Sequence, residues 1–334
     1  MHPILRHTAQ RAFDFATRRM VHAVPSDGWH VREEVIMGTA VRVELHCEDS
    51  GAGDSATAAV MREMHRIDAA MSPHKPLSEL SRINREAGRR AVPLSDEMFG
   101  LIARAIDFAD LSDGAFDISF ASAGFLYDYR AGIAPTERAL AKAREAIGWR
   151  HLELDPEAQT LRFTHPGTRI DLGGFAKGHA VDNAVRLLQQ RGIAHAIVTA
   201  GGDSRVLGDR RGRPWTIGIR DPRRPGEVVA VLPLEDTAIS TSGDYERFFE
   251  RDGVRHHHVL DPHTGRSADR VRSVTVLAPN GLTSEALSKT VFVLGAAEGL
   301  ALIDRMPGVD AVVVDAEGAL HSSSGFLGSP AHAR

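Results

Sequence analysis

Cysteine is nearly absent: Cys47 stands alone among 334 residues, which excludes an internal disulfide and a cysteine-only metal site. An excess of charge of either sign is also missing. The 40 Lys and Arg face 44 Asp and Glu, for a formal net charge of -4, so neither nucleic acid nor an anionic membrane is expected as a partner. The arginines that do cluster, at Arg210, Arg211 and Arg213 and at Arg223 and Arg224, sit beside Gly and Pro and read as solvated loops. No apolar run is long enough for a membrane span. Residues 1–24 mix Arg6, Arg11, Arg18 and Arg19 with scattered apolar residues and lack both a continuous apolar stretch and a small-residue cleavage site. They read as a tail or peripheral helix, which makes the cytoplasm the default location. A P-loop, a G-x-G-x-x-G fingerprint, internal repeats and low-complexity segments are absent too.

What the chain does have is a hydrophobic fraction of 43%, ample for a full core, and no linker that compels a split, so residues 25–330 read as one domain. Its centre is Arg169 to Gly192, R-I-D-L-G-G-F-A-K-G-H-A-V-D-N-A-V-R-L-L-Q-Q-R-G. Ile170 and Leu172 alternate like a strand end, Gly173 and Gly174 make a turn, and Ala180, Ala184 and Leu187 repeat at helical spacing until Gly192. Such a turn exposes backbone N–H groups at the positive end of a helix, and Lys177 adds a full charge there. The corner suits a phosphate or pyrophosphate; the alternative is a turn that merely packs helix on sheet.

Around this centre the periodicity predicts two strand segments flanking Met37-Gly38-Thr39, joined by a kink or hairpin, and helices over Thr57–Met71, Asp96–Asp110 and Thr136–Ile147. It predicts a short helix closed by Gly88 and a hairpin over His151–Phe163. Strands follow at Ala194–Ala200, Trp215–Ile219, Val228–Leu234, Ala238–Ser242, Val254–Leu260, Ser273–Leu277 and Val309–Asp315, with a helix over Thr283–Leu294 capped by Thr283. Helices and strands mix without a βαβ rhythm. That favours an α+β fold, with mixed, largely antiparallel sheets and flanking helices, over a doubly wound parallel sheet.

The run D-L-G-G-F-A-K-G-H-A-V-D resembles the signature of the ApbE family, the FAD:protein FMN transferases. Further blocks resemble the family in its order: Met37 to Thr39, Ser78 to Asn84, Ser112 to Asp117, Ala200 to Asp203, Ile239 to Arg247, His258 to Gly265 and Phe292 to Gly295. The resemblance implies an enzyme that binds FAD in a cleft. A divalent ion, usually Mg2+, then helps a threonine hydroxyl of an acceptor protein, carrying a D-x-x-[ST]-G-A-[ST]-like motif, attack the FMN phosphorus while AMP leaves. It also implies roles. His258 is the candidate general base, since imidazole accepts a proton near neutral pH. Lys177 holds phosphate oxygens, Met37 packs on the flavin, and Ala115, Phe116 and Asp117 hold the adenosine end. Asp171 fixes a ribose or base edge, or else is a turn residue, and Leu260 completes the FAD-binding set. Gly174 is a backbone metal ligand. Export of many family members makes a periplasmic location the analogue-based alternative.

Two positions depart from the family pattern. His74 stands where the family stacks an aromatic residue, typically tyrosine, on the flavin. In the late helix Glu285 and Lys289 replace an aspartate and a threonine that ligate metal. Glu285 and Ser288 can still offer oxygen, whereas a protonated Lys289 cannot ligate. Either the lysine charge partly replaces the metal, weakening its binding, or the two form a surface i,i+4 pair. A three-histidine metal site at His256 to His258 is disfavoured because alternation turns His257 to the other face. The expected activity is FMN transfer; the alternatives are a weakened FAD carrier or accessory protein, and an FAD pyrophosphatase giving FMN and AMP.

Overall fold

Eight stretches of alternating apolar residues pair into one antiparallel sheet whose spatial order is its chain order. They are β1 (Trp29–Ile36), β2 (Thr39–His46), β3 (Ala196–Ala200), β4 (Asp203–Leu207), β5 (Ala238–Gly243), β6 (Val271–Ala278), β7 (Asp310–Asp315) and β8 (Leu320–Ser322). The computed structural model describes residues 27–326, so the tail or helix expected over 1–24 lies outside the described residues. Everything else is inserted between neighbouring strands. The longest insertion, between β2 and β3, holds α1 (Ser50–Met71), α2 (Glu79–Glu86), α3 (Asp96–Leu111) and α4 (Ala176–Gln190), and the β6 to β7 connection holds α5 (Gly281–Leu294) and α6 (Ala296–Ile303).

Period-two alternation sends one set of side chains to each face of the sheet. Val41, Val43, Val198, Ala200, Val274, Val276 and Val313 meet α1, α4 and α5 in the main core. On the opposite face Val206, Ile239, Leu277 and Val312 are covered by the hairpin of Trp215–Arg220 and Val228–Leu234. Two arginines read as solvated are tied down there. Arg210 pairs with Glu44 at 2.6 Å and lies 4.8 Å from the Trp29 ring centre, and Arg223 donates to Asp244 at 2.7 Å. An aromatic face and a carboxylate hold the guanidinium better than water alone does.

Several boundaries move for local reasons. Helix α1 starts at Ser50 rather than Thr57 because Asp49 caps it, accepting from Ala52 N at 2.9 Å. Asn280, not Thr283, caps α5, accepting from Thr283 N at 2.8 Å. The helix expected over Thr136–Ile147 spans Glu137–Arg144. Ile170 to Leu172 is not a strand: the Asn84 amide binds both the N–H and the C=O of Ile170 at 2.8 Å, standing in for a neighbouring strand. The strand expected over Val254–Leu260 breaks at His258, leaving Val254–His257 and Leu260–Asp261.

Between β1 and β2 the connection is a two-residue hairpin. Met37 and Gly38 both have positive φ, 55° and 71°, and Ile36 pairs with Thr39. A left-handed methionine is strained, and such strain gathers at functional positions.

Helices α4 and α5 approach each other backbone to backbone. A Cβ built on Gly178 of α4 falls 2.2 Å from the Gly281 carbonyl oxygen, and one on Gly281 falls 2.6 Å from that of Gly178. Asp182, one turn further along α4, accepts from Gly281 N at 2.7 Å and Leu282 N at 3.0 Å, so one helix caps the other. Gly178→Ala must push the two backbones apart. It should cost about 1–3 kcal/mol of stability, measured by urea unfolding.

Candidate functional site

Helix α4 brings Lys177 to the sheet in its first turn. Its ammonium lies between Asp203, the first residue of β4, and Glu285 of α5, bonded to both. Glu285 is fully buried and its second oxygen accepts from Gly178 N at 2.7 Å. A carboxylate therefore fills the helix N-terminal corner where a phosphate was expected. It also removes the reading of Glu285 and Lys289 as a surface pair, because Glu285 turns inward to Lys177. The second oxygen of Asp203, Oδ1, is buried with no hydrogen-bond partner.

The strand and the helix match in spacing. Two residues of strand advance about 6.8 Å and four residues of helix about 6 Å. Ser240 and Ser242 of β5 thus meet Ser284 and Ser288 of α5 hydroxyl to hydroxyl, at 2.8 and 2.7 Å. Ser288 also donates to the Glu285 carbonyl at 2.8 Å. Next along the helix, Lys289 donates to Ser242 Oγ at 2.6 Å, and its stem covers Gly174, where an added Cβ would meet Cγ at 3.4 Å.

These contacts decide how the expected metal donors are placed. Both Glu285 oxygens are bound, the Ser288 hydroxyl is paired, and Lys289 lies over Gly174. Among the described residues no group of three or more His, Cys, Asp or Glu converges as a metal set. Gly174, Glu285 and Ser288 as arranged do not fit a divalent ion, since two ammonium groups already stand beside the two carboxylates. Burial pushes the Lys289 pKa down and that of Glu285 up, with Lys177 adding to the first and Asp203 to the second. Lys177 moves up despite its burial, because Asp203 and Glu285 favour its charge.

His258 sits at the strand break, its N–H donated to the Arg247 carbonyl at 3.1 Å and its Nδ1 buried without a partner. Burial, reinforced by the charge of Lys289 and then by His257, Arg247 and Lys177, pushes its pKa down to about 3. A neutral imidazole is a proton acceptor. Arg247 also reaches the strained hairpin: a Cβ on Gly38 would lie 3.2 Å from its Nη2. Asp171 is raised by burial and drawn back by the Gly173 N–H, His74 and Arg247. Its Oδ1 accepts from Gly173 N at 2.6 Å, so Asp171 shapes the turn as well as facing His74 and Arg247. Arg247 thus meets Gly38 of the hairpin with its guanidinium and His258 with its carbonyl, while its charge and that of His74 act on Asp171.

Ala115, Phe116 and Asp117 separate. Ala115 and Phe116 are core, the Phe116 ring centre 5.9 Å from Phe108 and 5.6 Å from Phe175. Asp117 lines a cleft of about 430 Å³ with Gly114, Arg144, Trp149 and His263, while its carboxylate accepts from Ser119 N and Trp149 N, both at 2.8 Å. Leu260 is buried beside Phe120 and Gly124. His257 turns away from its neighbours to Ala268 O at 2.7 Å, as alternation requires. Asp203, Ser242 and Arg247 were missed as site residues; the first and last close blocks of the family pattern, and only their contacts reveal what they do.

An antiparallel meander with helices on one face, and a buried cluster of opposite charges joining two of those helices to the sheet, defines an α+β protein. The ApbE family model matches residues 37–313. The chain belongs to the ApbE family. It is 32% identical over 315 residues to the FAD:protein FMN transferase of Treponema pallidum, covering 89% of this chain and 87% of that protein. The Vibrio cholerae FAD:protein FMN transferase is 34% identical over 277 residues, covering 80% and 82%. In structure, the ApbE protein of Thermotoga maritima superposes with a TM-score of 0.83 at 33% identity, over 90% of this chain and 98% of that one. Flavin transferase ApbE from Vibrio cholerae gives 0.81 at 29% identity, over 90% and 98%.

Two outcomes are expected. Lys177→Met leaves Asp203 and Glu285 without their cation and should lower stability by about 3–5 kcal/mol in denaturant unfolding. Between pH 6.5 and about 3 the unfolded chain binds a proton at His258 that the folded chain refuses, so this residue makes stability fall as pH falls. His258→Gln should flatten that acid slope, and the His258 ring signal in NMR should stay unshifted from pH 8 to pH 5.

Proposed function

We infer that this chain is an FAD:protein FMN transferase. The observation that carries the reading is that the chain aligns along most of its length with transferases of that activity, and it is supported by Arg247 meeting both the Met37–Gly38 hairpin and the backbone of the buried His258. FAD would lie with its flavin against Met37 and His74, its pyrophosphate before Lys289 and Arg247, and its adenosine end in the cleft beside Asp117 and Trp149. Met37 is held in its left-handed conformation by the hairpin, so the thioether is positioned before a flavin arrives.

The reaction is a displacement at phosphorus. The threonine oxygen of the acceptor bonds to the FMN phosphorus, the bond from that phosphorus to the AMP oxygen breaks with its electron pair, and the threonine proton passes to His258. The low pKa of His258 in the free site reflects burial and nearby cations. An arriving pyrophosphate offsets those cations and raises the imidazole toward neutrality, which readies it as a base when substrate is bound. In reactions of this kind a bound Mg2+ would supply Lewis-acid charge. We further propose an acceptor segment with a D-x-x-[ST]-G-A-[ST]-like motif, whose threonine receives the FMN.

Incubation with FAD and a peptide of that motif, followed by AMP release and peptide mass, tests the reading. An FMN-sized mass gain with AMP is expected. AMP without mass gain is hydrolysis, and intact bound FAD is carriage. His258→Asn should lower transfer by about 10²- to 10⁴-fold, with FAD affinity retained.

A further inference from the structure

We propose that Lys289 supplies the positive charge at the reacting phosphorus in this chain, so that the transfer runs without a divalent cation; the inference rests on the transferase reading above. After burial, Lys289 is the charge that acts most strongly on His258, ahead of Arg247 and Lys177. Its position is built rather than incidental. Ser242, itself fixed by Ser288, accepts from Nζ at 2.6 Å, and Gly174 lets the stem lie flat, with Cγ and Cε 3.4 and 3.5 Å from where a Cβ would be.

Lys177 does not fill the same role. Its ammonium is bonded to Asp203 and Glu285, whereas among the described residues Lys289 is bonded to a neutral hydroxyl. Together the four side chains sum to zero charge before FAD binds. Placing a divalent ion against Gly174 and Glu285 would require Lys289 to leave its serine, Glu285 to leave Lys177 or Gly178, and two ammoniums to face a double positive charge. An ammonium carries three donor hydrogens, and with one given to Ser242 the others can supply the hydrogen bonds to phosphoryl oxygens that such a displacement needs.

The test measures FMN transfer and AMP release in EDTA and in Mg2+ for the full chain and for Lys289→Met and Lys289→Arg. In parallel, Mn2+ binding to the FAD-loaded protein is followed by electron paramagnetic resonance. Equal wild-type rates in EDTA and Mg2+ are expected, with no stoichiometric Mn2+. Lys289→Met should lose about 10²- to 10³-fold under both conditions while Lys289→Arg recovers part of the loss. Circular dichroism and quenching of flavin fluorescence establish that each variant folds and binds FAD. Transfer abolished by EDTA and restored by Mg2+, or one bound Mn2+ per wild-type chain, overturns the proposal. Should no condition give transfer while another ApbE-family enzyme modifies the same peptide, the transferase reading fails. The Mn2+ signal then still decides whether Lys289 has displaced the metal.

Discussion

The ion pair network centred on Lys177 joins three elements far apart in the chain. Its ammonium is the cation between Asp203 at the start of β4 and Glu285 within α5, and Glu285 in turn holds the first turn of α4 through Gly178. A buried charge left alone is costly, so each member obliges the others to stay in place. The two helices can come this close only because Gly178 and Gly281 present bare backbone to one another. Removing side chains at the crossing and adding charges beside it are two halves of one solution.

The chain-order sheet makes that solution possible. Each strand pairs with the next, so β4, β5 and β6 lie side by side, and the insertions before β3 and after β6 place helices on one face. Ser240 lies directly across from Asp203, and the shared advance of strand and helix then lines up the serine pairs and delivers Lys289 beside them. The opposite face needs no such chemistry and is closed by an apolar hairpin.

Charge is distributed unequally between the two lysines. Lys177 is matched by carboxylates and holds the frame, whereas among the described residues Lys289 is bonded to a hydroxyl and its charge lowers the His258 pKa. Burial and that charge keep the imidazole neutral and so able to accept a proton. The hairpin holds Met37 at positive φ, and Asp171 fixes the turn that leads into α4.

Much of this was legible in residue order. Periodicity located most of the strands and helices, the glycine turn before α4 was plain, and spaced blocks pointed to the family and to His258. Local spacing carries those signals because alternation and helical repeat are properties of neighbours. Other features were not readable. Asn84 replaces a strand at Ile170 across 86 residues, and Glu285 reaches Lys177 across 108, so what looked like a phosphate corner is held by a carboxylate. Phe116 looked like part of a nucleotide site and is core, since burial depends on what packs beside α3. The sequence by itself determined the family, the α+β class and the chemical groups available. Only the tertiary structure decided which charges neutralise each other and which remain free, because pairing of charges depends on distance in space and on burial, and neither is written in the spacing along the chain.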